Sequence, residues 1–176
     1  MIAKAKAISH GINAIRYITG ESQNKKHPEK IYRILDNLIP SQPDTMGIWN
    51  SMQLTLSRFK PVKNSVIRIE LSPSAEHTHF FDIEDWQRLW QDFAAEFDKQ
   101  VFTGKDGKVR SCQTNLANSK YTVWLHKESE GGVPHLHAAV CRMDEDGNIN
   151  NDHNIHLRAQ RAAERVAKKR GWTTAV

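Results

Sequence analysis

The sequence is poor in cysteine and has no long apolar run, and these two absences narrow its class. Its 176 residues contain two cysteines, Cys112 and Cys141, which form neither a disulfide framework nor a cysteine-based zinc spacing. No apolar run approaches the ~20 residues of a membrane span, and the N-terminus lacks the apolar core of a signal peptide. The length suits one domain with a sizeable core. We therefore expect a cytoplasmic protein with no membrane partner.

Positive charge is in moderate excess, but it is unevenly distributed along the chain. The net charge is +5 and the isoelectric point is near 9.3. Residues 1–40 hold seven lysines and arginines against three acids, and residues 153–172 hold six against one. Residues 74–106 reverse the sign, with eight acids against three bases. This segregation favours a basic face for a polyanion and an acidic helix turned elsewhere, although two solvated surfaces would give the same counts.

Apolar spacing predicts that helices and strands alternate along the chain. Strands are expected at residues 1–8, 65–71, 121–125 and 133–141. Helices are expected at residues 11–20, 31–38, 44–59 and 82–101, with a last one beginning at 152 or 154. Asp44 and Asp82 are the expected N-caps of two of these helices.

Three histidines fall at the ends of the two strands that flank a glycine-containing turn. His135 and His137 share one face of their strand because successive side chains alternate, and His126 can reach the same patch across the turn. Three imidazoles on one open face predict a metal site with free positions for substrate. The expected fold is α+β, with a mainly antiparallel central sheet, helices packed on one face and the metal site on the other.

Closely spaced histidine pairs can also occur by chance in a chain that is rich in histidine. The chain has nine histidines, and His77 and His79 form a second pair with the same spacing. No third ligand lies near them in the sequence, so we interpret His77 and His79 as structural. The third histidine across a turn distinguishes the His126, His135 and His137 group from such a pair.

Three separated motifs resemble those of the relaxases, or mobilisation nucleases, of the histidine–hydrophobe–histidine (HUH) superfamily of single-strand DNA endonucleases. The metal motif is the most specific of the three, and their order along the chain strengthens the resemblance. They are the segment from Ser9 to Gly20, the segment from Arg68 to Ser74 followed by Asp85-Trp86, and His126-x-Glu128 with Pro134-His135-x-His137.

The resemblance implies strand-specific nicking at the transfer origin of a plasmid or mobile element in a bacterial cytoplasm. Tyr17 would attack a phosphodiester, stay linked to the 5′ phosphate and free a 3′ hydroxyl. The partner would be single-stranded DNA, with accessory DNA-processing proteins. The superfamily usually binds Mg²⁺ or Mn²⁺, whereas three imidazoles also suit Zn²⁺ or Ni²⁺. Residues 1–176 would form one nuclease domain, the N-terminal part of a longer protein.

Tyr17 has two competitors, because the chain contains three tyrosines. Tyr121 lies five positions before His126 on one strand, so parity predicts the opposite face. Tyr32 lies among apolar residues and is expected to be partly buried. Closing the end of a helix is the structural alternative for Tyr17. Glu128, two residues after His126, is expected to orient an imidazole or to accept the Tyr17 proton, with a solvated loop carboxylate as the alternative.

Six residues are expected to contact DNA. Arg16 and Ser72 lie within the first two motifs. The last helix carries four cations at spacings that place them along one side, opposite an apolar stripe, and we expect them to follow the DNA backbone. These cations are Arg158, Arg161, Arg165 and Lys168. A solvated helix face is the alternative interpretation of this stripe.

Other functions remain open at this stage. A rolling-circle replication initiator shares the metal motif, but its tyrosine follows the histidines, and no tyrosine follows Tyr121 here. A metal-dependent hydrolase that uses water would need no tyrosine. A non-catalytic DNA-binding module would bind oligonucleotides without cleaving them.

Overall fold

A computed structural model describes residues 1–22, 30–109, 114–127 and 133–174. None of the helices in these ranges combines the length and apolar character that crossing a membrane requires. A short 3₁₀ helix, Leu116–Asn118, precedes the fourth strand. In chain order, the other elements are β1 (Ile2–Ile8), α1 (Gly11–Thr19), β2 (Lys30–Asn37), α2 (Thr45–Ser57), β3 (Val66–Ser72), α3 (Ala75–Thr78), α4 (Ile83–Lys99), β4 (Tyr121–Lys127), β5 (His135–Cys141) and α5 (Ile155–Lys169).

The strands form a five-stranded antiparallel sheet in the order β1-β3-β5-β4-β2. β5 is the middle strand and is buried from its second residue to its last, whereas β1 and β2 are the two edges. The predicted α+β class and antiparallel sheet are confirmed. Because β5 lies between β3 and β4, each of its side chains has neighbours from both strands.

The helix boundaries follow local signals that the sequence contains. Asp44 accepts a hydrogen bond from the backbone N–H of Gly47, and Asp82 accepts one from that of Asp85, so both predicted N-caps are confirmed. α1 ends at Gly20, whose φ of +86° is a left-handed conformation that favours glycine.

One face of the sheet packs against α4 and α5. Leu136, Ala138 and Val140 alternate along β5 and are fully buried in this core, as their spacing predicts. α4 contributes large aromatic side chains to the same core, including Trp90 and Phe93. The aromatic stripe of α4 is therefore core.

The opposite face of the sheet packs against α1 and α2. Ile15 of α1 and Ile48 and Met52 of α2 form a second buried cluster with Ala139 and Cys141 of β5. The expectation that helices pack on one face alone needs correction. The reason is that β5 carries apolar side chains on both faces, and both sets must be removed from water.

The predicted helix at residues 31–38 is wrong, because Lys30–Asn37 forms the edge strand β2. A register shift between Arg33 and Leu35 interrupts its pairing with β4. At this bulge, Ile34 is buried in the α4–α5 core and the adjacent Leu35 packs against the same core. Because two consecutive residues point into the core, the apolar residues of β2 do not alternate with polar ones, and their spacing resembles that of a helix.

Candidate metal centre

The three predicted histidines come together on the face of the sheet that α1 covers. His126 of β4 pairs with His135 of β5, and His137 follows two residues along β5. One nitrogen from each ring lies within 4.8 Å of the corresponding nitrogens of the other two. The His137 ring centroid is 4.2 Å from that of His126 and 4.6 Å from that of His135. This cluster could hold a metal ion.

The cluster is less open than the sequence predicts. His126 is 0% exposed and His137 is 1% exposed, whereas His135 is half-buried. The cause is α1, whose Ile18 carbonyl oxygen lies 2.7 Å from Nε2 of His126. Among the described residues, α1 therefore restricts access to the centre.

Polar neighbours hold the rings in defined orientations. A carbonyl oxygen can only accept, so Nε2 of His126 donates to Ile18 and Nδ1 carries the lone pair. By the same argument, Nδ1 of His135 donates to the Val133 carbonyl oxygen at 2.9 Å, and its Nε2 carries the lone pair. Glu70 Oε1 lies 3.5 Å from Nδ1 of His137. Such outer partners select the tautomer of a metal-binding histidine.

His137 is held in its neutral form. Burial is the main reason that its pKa falls from 6.5 to about 2, and the neighbouring His126, His135 and Arg68 lower it further. Its Nε2 is buried and has no hydrogen-bond partner among the described residues. A buried polar atom without a partner costs about 1–3 kcal/mol, which a bound cation would offset.

The donor set fits a divalent metal. Metal–imidazole bonds are ~2.0–2.1 Å, so three ligand nitrogens on one ion are at most about 3.6 Å apart, and about 3.4 Å apart in a tetrahedral site. The nitrogens of this cluster lie within 4.8 Å of one another, so the rings must move closer by about 1 Å for all three to bind one ion. Three neutral imidazoles on one side of an ion leave its other positions for water or substrate.

Tyr17 lies beside the histidine cluster. Its ring centroid is 5.6 Å from that of His126 and 5.5 Å from that of His137. The Arg68 guanidinium carbon lies 5.9 Å from the centre of the Tyr17 ring. α1 holds Tyr17 here because the flanking Ile18 is buried beneath the helix, while Tyr17 remains 43% exposed.

The other two tyrosines lie elsewhere. Tyr121 is on the opposite face, as predicted, where its ring packs 5.5 Å from that of Trp90 and burial raises its pKa. Tyr32 is on the edge strand β2 and is exposed, whereas we expected partial burial. Among the three tyrosines, the described contacts bring Tyr17 to the histidine rings.

Sequence reasoning assigned no role to two charged residues near the centre. Arg68 and Glu70 of β3 lie on the same face as His137, and Glu70 is its direct partner across the strand pair. The alternation of β3 shows that these two residues share a face, but it does not identify β5 as the neighbouring strand. The sequence therefore indicates that Arg68 and Glu70 share a face, but it does not indicate that this face lies beside the histidines.

The remaining predicted site residues outside α5 are Arg16, Ser72 and Glu128. Arg16 is exposed on α1, with Glu21 Oε1 at 3.6 Å from its Nε. Ser72 ends β3 opposite Ile2 and lies on the face that carries Glu70, by strand parity. Glu128 falls outside the described residues.

The predicted row of cations on α5 needs correction at Arg158. Arg158 is 0% exposed, and its Nη1 donates to the carbonyl oxygens of Phe97 and Gln100 at 3.0 and 2.9 Å. Arg158 therefore provides hydrogen-bond donors for backbone carbonyl oxygens at the C-terminal end of α4. Its spacing of three from Ile155 and four from Ala162 places it on the buried stripe, so it does not belong to the exposed row of cations.

The other three α5 cations lie at the surface with local partners. The Arg161 guanidinium carbon is 4.8 Å from the centre of the Phe102 ring. Arg165 lies 4.0 Å from Glu96, and Lys168 lies 3.1 Å from Glu164. In the second histidine pair, the His77 ring stacks on Trp172 at 5.0 Å, whereas His79 is exposed.

No protein-family model, curated protein or solved structure matches the chain. The function is therefore argued from the geometry of the histidine cluster and its neighbours.

Proposed function

We propose that the protein is a relaxase-type nuclease that nicks single-stranded DNA at the transfer origin of a plasmid or mobile element. The observation that carries the proposal is the contact of Tyr17 with the histidine cluster, at 5.5 Å between the Tyr17 and His137 rings. A hydroxyl nucleophile at a cationic centre suits phosphoryl transfer. A partly exposed Tyr17 ring, rather than a buried one, also suits attack on a polymeric substrate.

In the proposed reaction, Tyr17 Oη forms a bond to the scissile phosphorus and loses its proton. The bond from phosphorus to the 3′ oxygen breaks, and that oxygen takes up a proton from solvent as the new 3′ hydroxyl, which balances the proton that Tyr17 releases to solvent. The 5′ phosphate remains esterified to Tyr17. Arg68, whose guanidinium carbon lies 5.9 Å from the centre of the Tyr17 ring, would donate hydrogen bonds to a phosphate oxygen there.

His126, His135 and His137 would hold the metal ion. When bound, it would neutralise charge on the scissile phosphate. The resemblance favours Mg²⁺ or Mn²⁺, and the imidazole donor set also suits Zn²⁺ or Ni²⁺. Glu70 would keep the His137 ring oriented toward the ion.

The decisive experiment is a search for a covalent DNA adduct. Single-stranded oligonucleotides that tile the DNA flanking the gene are labelled at their 3′ ends and incubated with the protein and Mn²⁺. On a denaturing gel, the label should move with the protein. A duplicate labelled at the 5′ ends should give a free shorter fragment whose 3′ hydroxyl a polymerase can extend.

Two phenylalanine variants make this experiment specific. Tyr17→Phe should abolish the adduct and retain DNA binding, because it removes only the hydroxyl. Tyr32→Phe is the matched control, since Tyr17 and Tyr32 are both 43% exposed, and it should give a normal yield. A normal adduct from Tyr17→Phe would overturn the assignment of the nucleophile. Cleavage without any adduct would instead identify a hydrolase that uses water.

A further inference from the structure

A basic cleft lies at the β1 edge of the sheet, next to the histidine cluster. Across the strands, His137 pairs with Glu70 and Glu70 with Lys4, while in the next row Arg68 pairs with Lys6. These side chains share the face that carries the histidines. The cleft has a volume of about 290 Å³, and its lining includes Lys4, Lys6, Arg68, Glu70 and His156.

The cleft exists because α1 covers only part of this face. Ile8, at the end of β1, is buried against α1, whereas Lys4 and Lys6 are exposed. Neighbouring strands are ~4.8 Å apart, so Lys4 lies two strands, or about 10 Å, from His137. Glu70 lines the cleft and lies 3.5 Å from Nδ1 of His137, so the cleft adjoins the histidine cluster.

The charge of the cleft suits a polyanion. Three permanent cations, Lys4, Lys6 and Arg68, face one carboxylate, Glu70, which already lies against His137. Arg68 also lies over the Tyr17 ring, so the positive row begins at the proposed nucleophile. On α5, by contrast, Arg158 is buried, and Arg165 and Lys168 already lie near carboxylates of Glu96 and Glu164.

We infer that the Lys4–Lys6–Arg68 cleft holds the sugar–phosphate backbone of the DNA strand beside the phosphate that Tyr17 attacks. This inference rests on the proposed function and identifies where its substrate lies. The cations would contact phosphate oxygens and would bind different sequences alike, since phosphates carry no base identity. The phosphates next to the scissile one would then lie over β3 and β1.

A structural role for the same lysines makes a different prediction. β1 is an edge strand, and lysines on an edge can prevent pairing with another sheet. In that case, removing them would promote self-association of the protein and would leave its affinity for DNA unchanged.

The test measures how DNA binding depends on salt. Binding of fluorescein-labelled oligothymidine is followed by fluorescence anisotropy over a range of NaCl concentrations. Each phosphate contact in a single strand contributes about −0.7 to the slope of log affinity against log salt. Lys4→Gln/Lys6→Gln should weaken binding and flatten the slope by about 1.4 relative to the unmodified protein.

Two further variants control for net charge and for folding. Lys105→Gln/Lys108→Gln removes the same charge from exposed positions on the small hairpin that follows α4, and it should leave the slope unchanged. Lys4→Arg/Lys6→Arg keeps the charge in the cleft and should keep the original slope. Circular dichroism and thermal melting check that all three variants are folded.

The possible outcomes test the cleft inference and the proposed nicking reaction separately. If both Gln variants change the slope equally, or if neither changes it, the cleft inference is overturned, while a Tyr17 adduct would still support nicking. If Lys4→Gln/Lys6→Gln is poorly folded, a slope change in Lys6→Gln alone of about 0.7 is the required result. If the unmodified protein neither binds oligothymidine nor forms an adduct, the cleft inference and the proposed function both fail.

Discussion

Glu70 Oε1 lies 3.5 Å from Nδ1 of His137, its partner across the β3–β5 pair. The contact joins a half-buried carboxylate of β3 to a buried imidazole of the cluster. A carboxylate that accepts a hydrogen bond from Nδ1 in this position would make the imidazole a better ligand and would select the tautomer whose Nε2 carries the lone pair. The proposed metal site therefore extends to a residue outside the histidine motif.

Replacing Glu70 should weaken metal binding without removing a ligand. We expect Glu70→Ala to lower the affinity for Mn²⁺ or Zn²⁺ by about 10–100-fold, the usual effect of losing such an outer partner. Glu70→Gln keeps an acceptor oxygen and should recover part of the loss. Isothermal titration calorimetry measures both, with Glu84→Ala on the surface of α4 as the control. Equal affinities in Glu70→Ala and the control would show that Glu70 does not support the site.

His135→Ala is the sharpest test of the metal ligands themselves. His135 is half-buried, whereas His126 and His137 are buried, so its removal should cost little stability. We expect the variant to lose specific metal binding and to keep the thermal midpoint of the metal-free protein. His79→Ala, on the short helix segment after β3, should bind metal normally. Unchanged metal affinity in His135→Ala would exclude the three-histidine site.

The pKa of His137 makes the stability of the metal-free protein depend on pH. The folded value is about 2 and the unfolded value is near 6.5, so between them the unfolded chain binds a proton that the folded chain does not. Stability should therefore fall as the pH drops below about 6.5, by up to ~1.4 kcal/mol per pH unit from this group.

Urea denaturation over a series of pH values measures this dependence. His137→Asn removes the titrating ring and should show a shallower loss of unfolding free energy between about pH 6.5 and pH 5. Above about pH 6.5, the two proteins should show parallel stability curves. The same slope in both proteins at acidic pH would contradict the assignment of the effect to His137.

We expect Arg158 to contribute to the stability of the fold rather than to DNA binding. Arg158→Ala removes the side-chain donor to the Gln100 carbonyl oxygen and one of the two donors to the Phe97 carbonyl oxygen, and it opens a cavity. We expect a loss of about 3 kcal/mol in unfolding free energy. Arg165→Ala, at an exposed position on the same helix, should cost less than about 1 kcal/mol. A loss as small as that of the control would show that Arg158 is not needed to satisfy α4.

Local patterns were sufficient to predict much of the fold. Asp44 and Asp82 mark helix starts because a short polar side chain satisfies backbone N–H groups that lie next to it in sequence. The shared face of His135 and His137 follows from the alternation of a strand, which holds wherever the strand lies in the sheet. These predictions depend on neighbours a few residues apart.

The errors arose where tertiary contacts override local spacing. The bulge in β2 turns both Ile34 and Leu35 toward the α4–α5 core, which the sequence presents as helical periodicity. Arg158 belongs to the buried stripe of α5 because the end of α4 supplies carbonyl acceptors for its guanidinium. In both cases the contacts come from a helix that lies far along the chain from the residue it contacts.

The sequence by itself determined the residue types of the site and the strand faces on which they lie. Only the tertiary structure decided that β3 lies between β5 and β1, which brings Glu70 to His137 and Lys4 to Glu70. It also decided that α1 lies over the histidines and carries Tyr17 to them. The physical reason is that alternation sets the direction of each side chain within a strand, whereas strand order and helix placement depend on long-range burial of apolar surface.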